Sequence, residues 1–355
     1  MRKQDSLRAP RMDGYSAVST HLALLSDYRL REMVSAASPL GSGIGGRSAE
    51  LVIEGRRVFV KRIPLTENEL HPKSIRSTAN LFGLPMFYQY GVGSAGFGAW
   101  RELAVHVMTT NWVLGNEYAG FPLMYHWRVL LDFPTEGFTE EFGGLDGAVA
   151  HWEGSPAVRK RLEAIESSSS SLVLFLEHVP RTLTGWLADN RKIAMQHGGS
   201  NPPDAWVEEA LTEGTAFMRS RGLVHFDAHF GNILTDGSQL YFTDFGLALS
   251  ARFDLSVDES TFLLHHRVYD HCYTVSQLLR HHLLGRVENG SGVEAVLREW
   301  IAGRRPDGMP LEIAAMVDRH LHSAVVLESF HRRLYTDSKR TLFPAEKVDM
   351  HVRRS

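Results

Sequence analysis

The chain has 355 residues, of which 43% are hydrophobic and 22% charged, a composition typical of a globular protein with one large domain or two smaller ones. The formal net charge of −3 argues against a nucleic-acid partner, because binding to a phosphate backbone favours a strongly basic surface. Cys272 is the only cysteine, so an intrachain disulfide is excluded and a reducing, cytoplasmic compartment is expected. The sequence contains no long apolar run and no apolar signal segment, so we expect no membrane contact.

The first part of the chain is predicted to be rich in β-strands. Residues 1–35 are predicted to be a polar N-terminal extension, with leucines at helical spacing over Thr20–Ser35. The elements predicted next are the glycine-rich turn containing Gly41, Gly43 and Gly46, the strand Glu50–Ile53, the turn Glu54-Gly55 and the strand Val58–Ile63.

Two irregular segments interrupt this β-rich part. Residues 64–99 are rich in glycine and proline, and residues 132–170 combine an acidic loop with a serine run, so both are predicted to be insertions. The regular elements predicted around them are the helix Trp100–Val113, the strand Phe121–Leu131, the helix Ala157–Ile165 and the strand Leu172–Leu176.

The second part of the chain is predicted to be mainly helical. A helix is expected from a cap at Asp204 to Gly222, and helical periodicity continues to about Tyr335. Between them, Asp236-Gly237 predicts a hairpin turn. Folding that hairpin brings Asn232 and Asp244 side by side at its open end, with Asp227 nearby. An amide oxygen and a carboxylate held together suit Mg²⁺, and Asp227 would be available as a base.

Two stretches of this region form distinct motifs: His225-Phe-Asp227-Ala-His229-Phe-Gly-Asn232 and Asp244-Phe-Gly. They resemble the catalytic loop, H-x-D-x-x-x-x-N, and the metal-binding loop, D-F-G, of the protein kinase superfamily. The resemblance implies an α+β, bilobal protein-kinase-like fold with ATP and Mg²⁺ as cofactors. It implies that Asp227 orients or deprotonates an acceptor hydroxyl and that Asn232 and Asp244 hold the metal. The corresponding regions are an extension over 1–35, an N-lobe over 36–178, a helical C-lobe over 179–335 and a tail over 336–355.

The same resemblance extends to the nucleotide site of the N-terminal part. Gly41, Gly43 and Gly46 lie between predicted strands, as in a kinase glycine-rich loop and unlike a P-loop or dinucleotide fingerprint, which precede a helix. Lys61 in Val58-Phe-Val-Lys resembles the phosphate-binding lysine. A plain flexible turn and an exposed lysine are the structural alternatives for these two features. The acidic partner of Lys61 is Glu102 or Glu69.

Two further positions resemble the family more loosely. The backbone of the strand ending at Glu177 and Val179 resembles the segment that hydrogen-bonds adenine, although a merely buried strand has the same pattern. Asp270 resembles the aspartate that braces the catalytic loop, and a surface aspartate is its alternative. The histidines near Cys272 show no recognised zinc spacing.

Departures from the protein-kinase pattern bear on the acceptor. Phe226 replaces the arginine that binds an activation-loop phosphate, and no A-P-E motif follows Asp244. His229 in H-x-D-x-H resembles aminoglycoside and other small-molecule phosphotransferases, although a packed structural histidine is the alternative. The sequence therefore favours transfer of the γ-phosphoryl group to a hydroxyl of a small molecule or natural product. A Ser/Thr kinase acting on a protein or biosynthetic peptide, and a nucleotide-binding pseudokinase, are the alternatives.

Overall fold

The computed structural model describes residues 2–43, 45–91, 93–133, 137–196, 205–283, 292–306 and 308–352. Within these ranges the chain is a mixed α+β protein, which confirms the predicted class. The helices are α1 (Arg2–Ala23), α2 (Asp27–Ala36), α3 (Glu67–Leu70), α4 (Ala99–Leu114), α5 (Leu145–His151), α6 (Pro156–Glu166), α7 (Leu183–Gln196), α8 (Ala205–Ser220), α9 (Val257–His265), α10 (Tyr269–Leu283), α11 (Val293–Ile301), α12 (Leu311–Thr336) and α13 (Ala345–Val352). The strands are β1 (Ser38–Gly43), β2 (Gly46–Ile53), β3 (Arg56–Leu65), β4 (Met124–Leu131), β5 (Ser170–Glu177), β6 (Arg181–Thr182), β7 (Leu223–Val224), β8 (Ile233–Thr235), β9 (Leu240–Phe242) and β10 (Leu249–Ser250).

Contacts divide the chain into two units. The first contains Met1–Val179, Asp244–Ala248 and Phe253–Ser256, and the second contains Pro180–Thr243, Leu249–Arg252 and Val257–Ser355. The segment that begins at Asp244, expected with the helical part of the sequence, thus belongs to the first unit by its contacts. The first unit holds the large sheet, and most of the second is helical.

The sheet of the first unit has five antiparallel strands in the order β1-β2-β3-β5-β4. Glu54 and Gly55 join β2 to β3 with φ of 50° and 69°, the two left-handed positions that a type I′ hairpin turn requires. Strand β5 is buried over nearly its whole length, which explains its continuous apolar run. One face of this sheet packs against α4 through a cluster of buried side chains: Ile63, Leu65, Ala99, Trp100, Leu103, Met124, Leu172, Leu174 and Leu176.

The prediction that helical structure in the N-terminal extension is confined to Thr20–Ser35 is wrong. The extension forms the long helix α1, and the helix predicted over Thr20–Ser35 is interrupted between residues 23 and 27. Ser26 begins α2 there, since its hydroxyl accepts the Arg29 N–H. Helices α1 and α2 both pack on β4. The predicted cap at Asp204 lies outside the described residues.

The two predicted insertions share one hydrophobic cluster, here called the insertion core. Trp152 from the second insertion donates its indole N–H to the Gly93 carbonyl of the first, at 3.1 Å, and its ring lies 4.6 Å from that of Tyr88. The buried members of the insertion core are Phe82, Leu84, Tyr88, Phe97, Phe138, Ala148, Val149, Trp152, Val158, Leu162 and Ile165. Segments distant in sequence therefore fold as a single packed region.

In the part of the chain that the structure describes, no helix is both long and apolar enough to cross a membrane.

Truncation of Trp152 should destabilise the protein. The side chain is 1% exposed, so Trp152→Ala leaves a cavity and an unsatisfied Gly93 carbonyl, and the free energy of unfolding should fall by about 3–5 kcal/mol. Phe133 is 83% exposed, so Phe133→Ala is the aromatic control, with a change of about 0.5 kcal/mol or less. Urea denaturation measures both. Equal effects of the two substitutions would contradict the packing described for the insertion core.

Candidate active site

Lys61 lies in the middle of the sheet, with its amine against two carboxylates. Strand β3 pairs Lys61 with Ser48 of β2 and Leu174 of β5. The Nζ atom is 2.6 Å from Glu102 Oε1 and 2.7 Å from Asp244 Oδ1. Lys61, Glu102 and Asp244, all in the first unit, are called the lysine triad below.

The electrostatics of the lysine triad favour a permanently charged amine. Burial disfavours the ammonium of Lys61, but the neighbouring Asp244 and Glu102 carboxylates outweigh it, so the pKa of Lys61 is raised above its ordinary value. The Lys61 side chain is only 10% exposed and that of Glu102 only 4%. A cation this buried requires compensating charges, since an unpaired one would cost several kcal/mol.

The structure separates the two acids proposed as partners of Lys61. Glu102 lies in the first turns of α4 and contacts the amine. Glu69 points elsewhere: its carboxylate pairs with Arg161 at 2.7 Å and accepts the Ala99 N–H at the start of α4. The long first insertion thus leaves Glu102 within reach of Lys61, because the helix returns to the sheet after it.

His106 extends the lysine triad by one helical turn. It lies four residues after Glu102 on α4, with Nε2 3.8 Å from Glu102 Oε1, and its ring meets that of Phe245 edge-on at 5.1 Å. The ring is fully buried. Helical spacing from Glu102 was the sequence signal that could have identified this residue.

The glycines form a hairpin between β1 and β2. Gly43 and Gly46 are register partners, and Gly46 has a φ of 116°. A side chain at Gly46 would collide with the Arg62 carbonyl, so packing alone accounts for this glycine. Gly41 and Gly43 differ, because a Cβ at either would meet none of the described atoms closer than 3.9 Å.

The end of β5 is tied to the N-terminal helix. The Arg11 guanidinium donates to the Glu177 carboxylate at 2.6 Å, and the same carboxylate accepts the Leu123 N–H. The Glu177 N–H donates to the Leu123 carbonyl at 2.7 Å. A backbone donor to adenine would therefore have to come from a later residue, such as the half-buried Val179.

In the second unit, Asp270 anchors the candidate catalytic loop. Its carboxylate accepts the N–H groups of His225 at 2.6 Å and Phe226 at 2.9 Å. Burial raises the pKa of Asp270 to about 7, although both backbone donors favour the ionised form. The anchor holds Phe226 in a left-handed conformation with φ 63°, a conformation that a bulky residue keeps only when its surroundings impose it.

Asp227, Asn232 and His229 lie together in the same loop. The Asn232 amide donates to the Asp227 backbone carbonyl at 3.1 Å and to its Oδ2 at 3.0 Å, which orients Asn232 Oδ1 as the atom that could bind a cation. His229 Nδ1 accepts the Gly231 N–H at 3.0 Å, so a neutral ring carries its proton on Nε2. That atom is 3.9 Å from Asp227 Oδ2.

The predicted hairpin follows this loop directly. Strands β8 and β9 pair Ile233 with Phe242, and the Asp236 carboxylate accepts the N–H groups of Ser238 and Gln239 in the turn. At the open end, the Thr243 N–H donates to the Asn232 carbonyl at 3.0 Å. Asp244 is the next residue along the chain and, like Phe226, has a φ of 63°.

The residues around Phe226 and Asp227 are mainly aromatic. Phe226 is buried among the rings of Phe262, His266 and Tyr269, at centroid distances of 5.3–5.5 Å. Burial lowers the pKa of His266 to about 3, so the surroundings of Phe226 carry no imidazolium at neutral pH. Tyr273 and Tyr335 both have pKa values raised by burial and by the Asp227 carboxylate.

The sequence did not reveal several residues that position the site. Arg11, Gln89 and Arg161 reach their partners only through tertiary packing. Among the residues that the structure describes, no three or more His, Cys, Asp or Glu side chains form a group that could hold a metal ion. No protein-family model matches the chain, and no curated protein matches it.

Removing the charge of Glu102 should lower the pKa of Lys61. In Glu102→Gln the carboxylate that stabilises the ammonium is lost, and a fall of about one unit or more is expected. The fraction of free amine at about pH 9 then rises about tenfold for each unit. Amine labelling of Lys61, followed by mass spectrometry, measures this change. Glu166→Gln, at an exposed position in the same unit, is the control, and equal labelling of both variants would contradict the pairing.

Proposed function

We propose that this chain is an ATP- and Mg²⁺-dependent phosphotransferase with a bilobal protein-kinase-like fold, transferring the γ-phosphoryl group to a hydroxyl of a small molecule or natural product. The main support for this proposal is the buried amine of Lys61, which lies between the carboxylates of Glu102 and Asp244. A buried, rigidly placed cation in a sheet that also carries an open glycine hairpin is suited to nucleotide phosphates. The two units support the lobes of the proposed fold, since one is built on a large sheet and the other is mainly helical.

The donor set fits Mg²⁺. Mg²⁺ is commonly bound by one or two protein oxygens together with phosphate oxygens. In the proposed site Asn232 Oδ1 and the Asp244 carboxylate hold the metal, and the orientation of the Asn232 amide supports this, because its nitrogen is engaged by Asp227. When bound, the metal neutralises charge on the triphosphate.

The roles of the remaining residues follow from the same proposal. Lys61 orients the phosphates of ATP. Asp227 aligns the acceptor hydroxyl, whose oxygen bonds to the γ-phosphorus as the bond to the β–γ bridging oxygen breaks, and Asp227 takes up the hydroxyl proton. ADP and the phosphorylated acceptor are the products. His229, held by Gly231 with a proton on Nε2, is placed to donate a hydrogen bond beside Asp227.

The surroundings of Phe226 support a small-molecule acceptor over a phosphorylation-regulated protein kinase. Where many protein kinases have an arginine that binds an activation-loop phosphate, this chain packs a phenyl ring against three aromatic side chains. Such a cluster offers no charge to a phosphate. Switching by activation-loop phosphorylation is therefore not part of the proposal.

Replacement of Asp227 should impair transfer. In Asp227→Asn the group that accepts the hydroxyl proton is lost, and kcat should fall about 10²–10⁴-fold. The assay is transfer of radiolabelled γ-phosphate, screened in parallel against hydroxyl-bearing small molecules and generic peptides. Asp189→Asn, with a side chain 55% exposed on α7, is the control and should retain full turnover.

The outcomes of the screen discriminate between the functions. Labelling of peptides alone would replace the small-molecule acceptor with a peptide or protein. Nucleotide binding without transfer to any acceptor would identify a pseudokinase. Full turnover in Asp227→Asn would remove this residue from the mechanism.

Asp244 is predicted to link Mg²⁺ to ATP binding. Wild-type protein should gain thermal stability with ATP and Mg²⁺ together, by about 2.7 kcal/mol at a ligand concentration of 100 Kd, and Asp244→Asn should lose the part that depends on Mg²⁺. Asp254→Asn, at an exposed position in the same unit, should behave like wild type. An unchanged Mg²⁺-dependent shift in Asp244→Asn would place the metal elsewhere.

A further inference from the structure

The two insertions contact the first turn of α4 through Glu69 and Arg161. Glu69 and Arg161 form an ion pair at 2.7 Å with side chains 1% and 2% exposed. The other oxygen of Glu69 accepts the Ala99 N–H at 2.7 Å, and the Trp100 indole donates to the Glu69 carbonyl at 2.9 Å. Gly98 precedes α4 without a capping side chain, so Glu69 supplies the cap from the first insertion.

This contact is linked to the lysine triad by the rigidity of one helical turn. Glu102 is the first acidic residue of α4 and lies just after Ala99 and Trp100. Burial raises the pKa of Glu69, but the Arg161 guanidinium and the Thr66 hydroxyl outweigh it and lower the pKa below its ordinary value. Glu69 therefore stays ionised and accepts the backbone donor strongly, as charged acceptors do.

A second contact runs from the first insertion to the segment that begins at Asp244. The Gln89 amide donates to the Leu247 carbonyl. Gly96, with φ of 69°, lies so close to the Gly246 backbone that a Cβ would stand 2.5 Å from the Gly246 oxygen. Both partners follow Asp244 within its own short segment, which belongs to the first unit.

From these contacts we infer that the two insertions, packed together by the insertion core, are a built-in brace for the lysine triad. Glu69 and Arg161 are positioning residues that fix Glu102 through α4, and Gln89 and Gly96 fix Asp244 through the segment that follows it. The triad is thereby assembled by packing of the chain itself. The consequence for phosphoryl transfer rests on the proposed function, whereas the placement of the triad is testable without any nucleotide.

The first experiment removes the charged contact while keeping the fold. A buried ion pair replaced by apolar side chains of similar size commonly folds as well as the original, so Glu69→Leu combined with Arg161→Met is expected to stay folded. Loss of the cap should then accelerate hydrogen exchange in the first turns of α4 by about tenfold or more. As Glu102 moves away, the pKa of Lys61 falls, and amine labelling of Lys61 at about pH 9 should rise about tenfold.

The control for this variant lies on the same helix. Arg159 pairs with Asp146 at 2.7 Å, but its side chain is 40% exposed, so Arg159→Met should leave both exchange and labelling at wild-type levels. A double variant that is folded and keeps wild-type exchange in α4 and wild-type labelling of Lys61 would overturn the inference. If the double variant does not fold, Glu69→Ala, which removes the acceptor of the Ala99 N–H, gives the same two readouts, and unchanged values overturn the inference equally.

The second experiment compares two glycines of the first insertion. Gly96 and Gly83 have φ of 69° and 63°, but a Cβ at Gly83 would meet no described atom within 4 Å. Gly96→Ala and Gly83→Ala therefore share the backbone strain, and only Gly96→Ala displaces Gly246. Hydrogen exchange over Asp244–Ala248 should be about tenfold faster in Gly96→Ala than in Gly83→Ala, because only the first substitution displaces the Gly246 backbone. Equal exchange in the two variants would overturn this part of the brace.

Transfer assays separate this inference from the proposed function. If the brace variants change Lys61 labelling and α4 exchange while wild-type protein transfers no phosphate, the brace stands and the phosphotransferase proposal fails. If wild-type protein transfers phosphate and the brace variants keep wild-type kcat, KM, labelling and exchange, the phosphotransferase proposal stands and the brace fails.

Discussion

The first unit is organised around the buried Lys61 ammonium, which requires anionic partners. An ammonium removed from water costs several kcal/mol unless anionic partners lie within hydrogen-bonding distance. Here the two partners come from distant parts of the chain, Glu102 on α4 and Asp244 on a short segment after the β8–β9 hairpin. The sheet, α4 and that segment must therefore all be in place for the amine to be stable, which couples local geometry to the fold of the whole unit.

Carboxylates that accept backbone N–H groups recur at the points where the backbone lies outside regular secondary structure or begins a helix. Glu69 accepts the first N–H of α4, Asp270 accepts two N–H groups of the candidate catalytic loop, and Asp236 does so in the hairpin turn. Charge-assisted hydrogen bonds of this kind are stronger than neutral ones. They fix backbone that no regular ladder supports, including Phe226 in its left-handed conformation.

The two insertions contribute to placing the residues of the lysine triad. In the proposed phosphotransferase, a lysine–glutamate pair and a metal-binding aspartate must be correctly placed before transfer can occur. This chain has an aromatic cluster around Phe226 and a packed insertion core around Trp152. In this chain α4 is held by hydrophobic packing and by the buried Glu69–Arg161 ion pair. Neither of these depends on phosphorylation.

The sequence by itself determined the α+β class, the strands β2 to β5, the β8–β9 hairpin and the helices α4, α6 and α8. It also identified the candidate residues Lys61, Asp227, Asn232 and Asp244, because local periodicity, turn chemistry and motif spacing are present in the chain itself. Only the tertiary structure decided that Glu102 and not Glu69 meets Lys61, that residues 64–99 and 132–170 pack together, and that residues 2–23 form a helix on β4. These outcomes depend on contacts between residues far apart in sequence. Such contacts are set by side-chain packing and by compensation of buried charge, which no local pattern encodes.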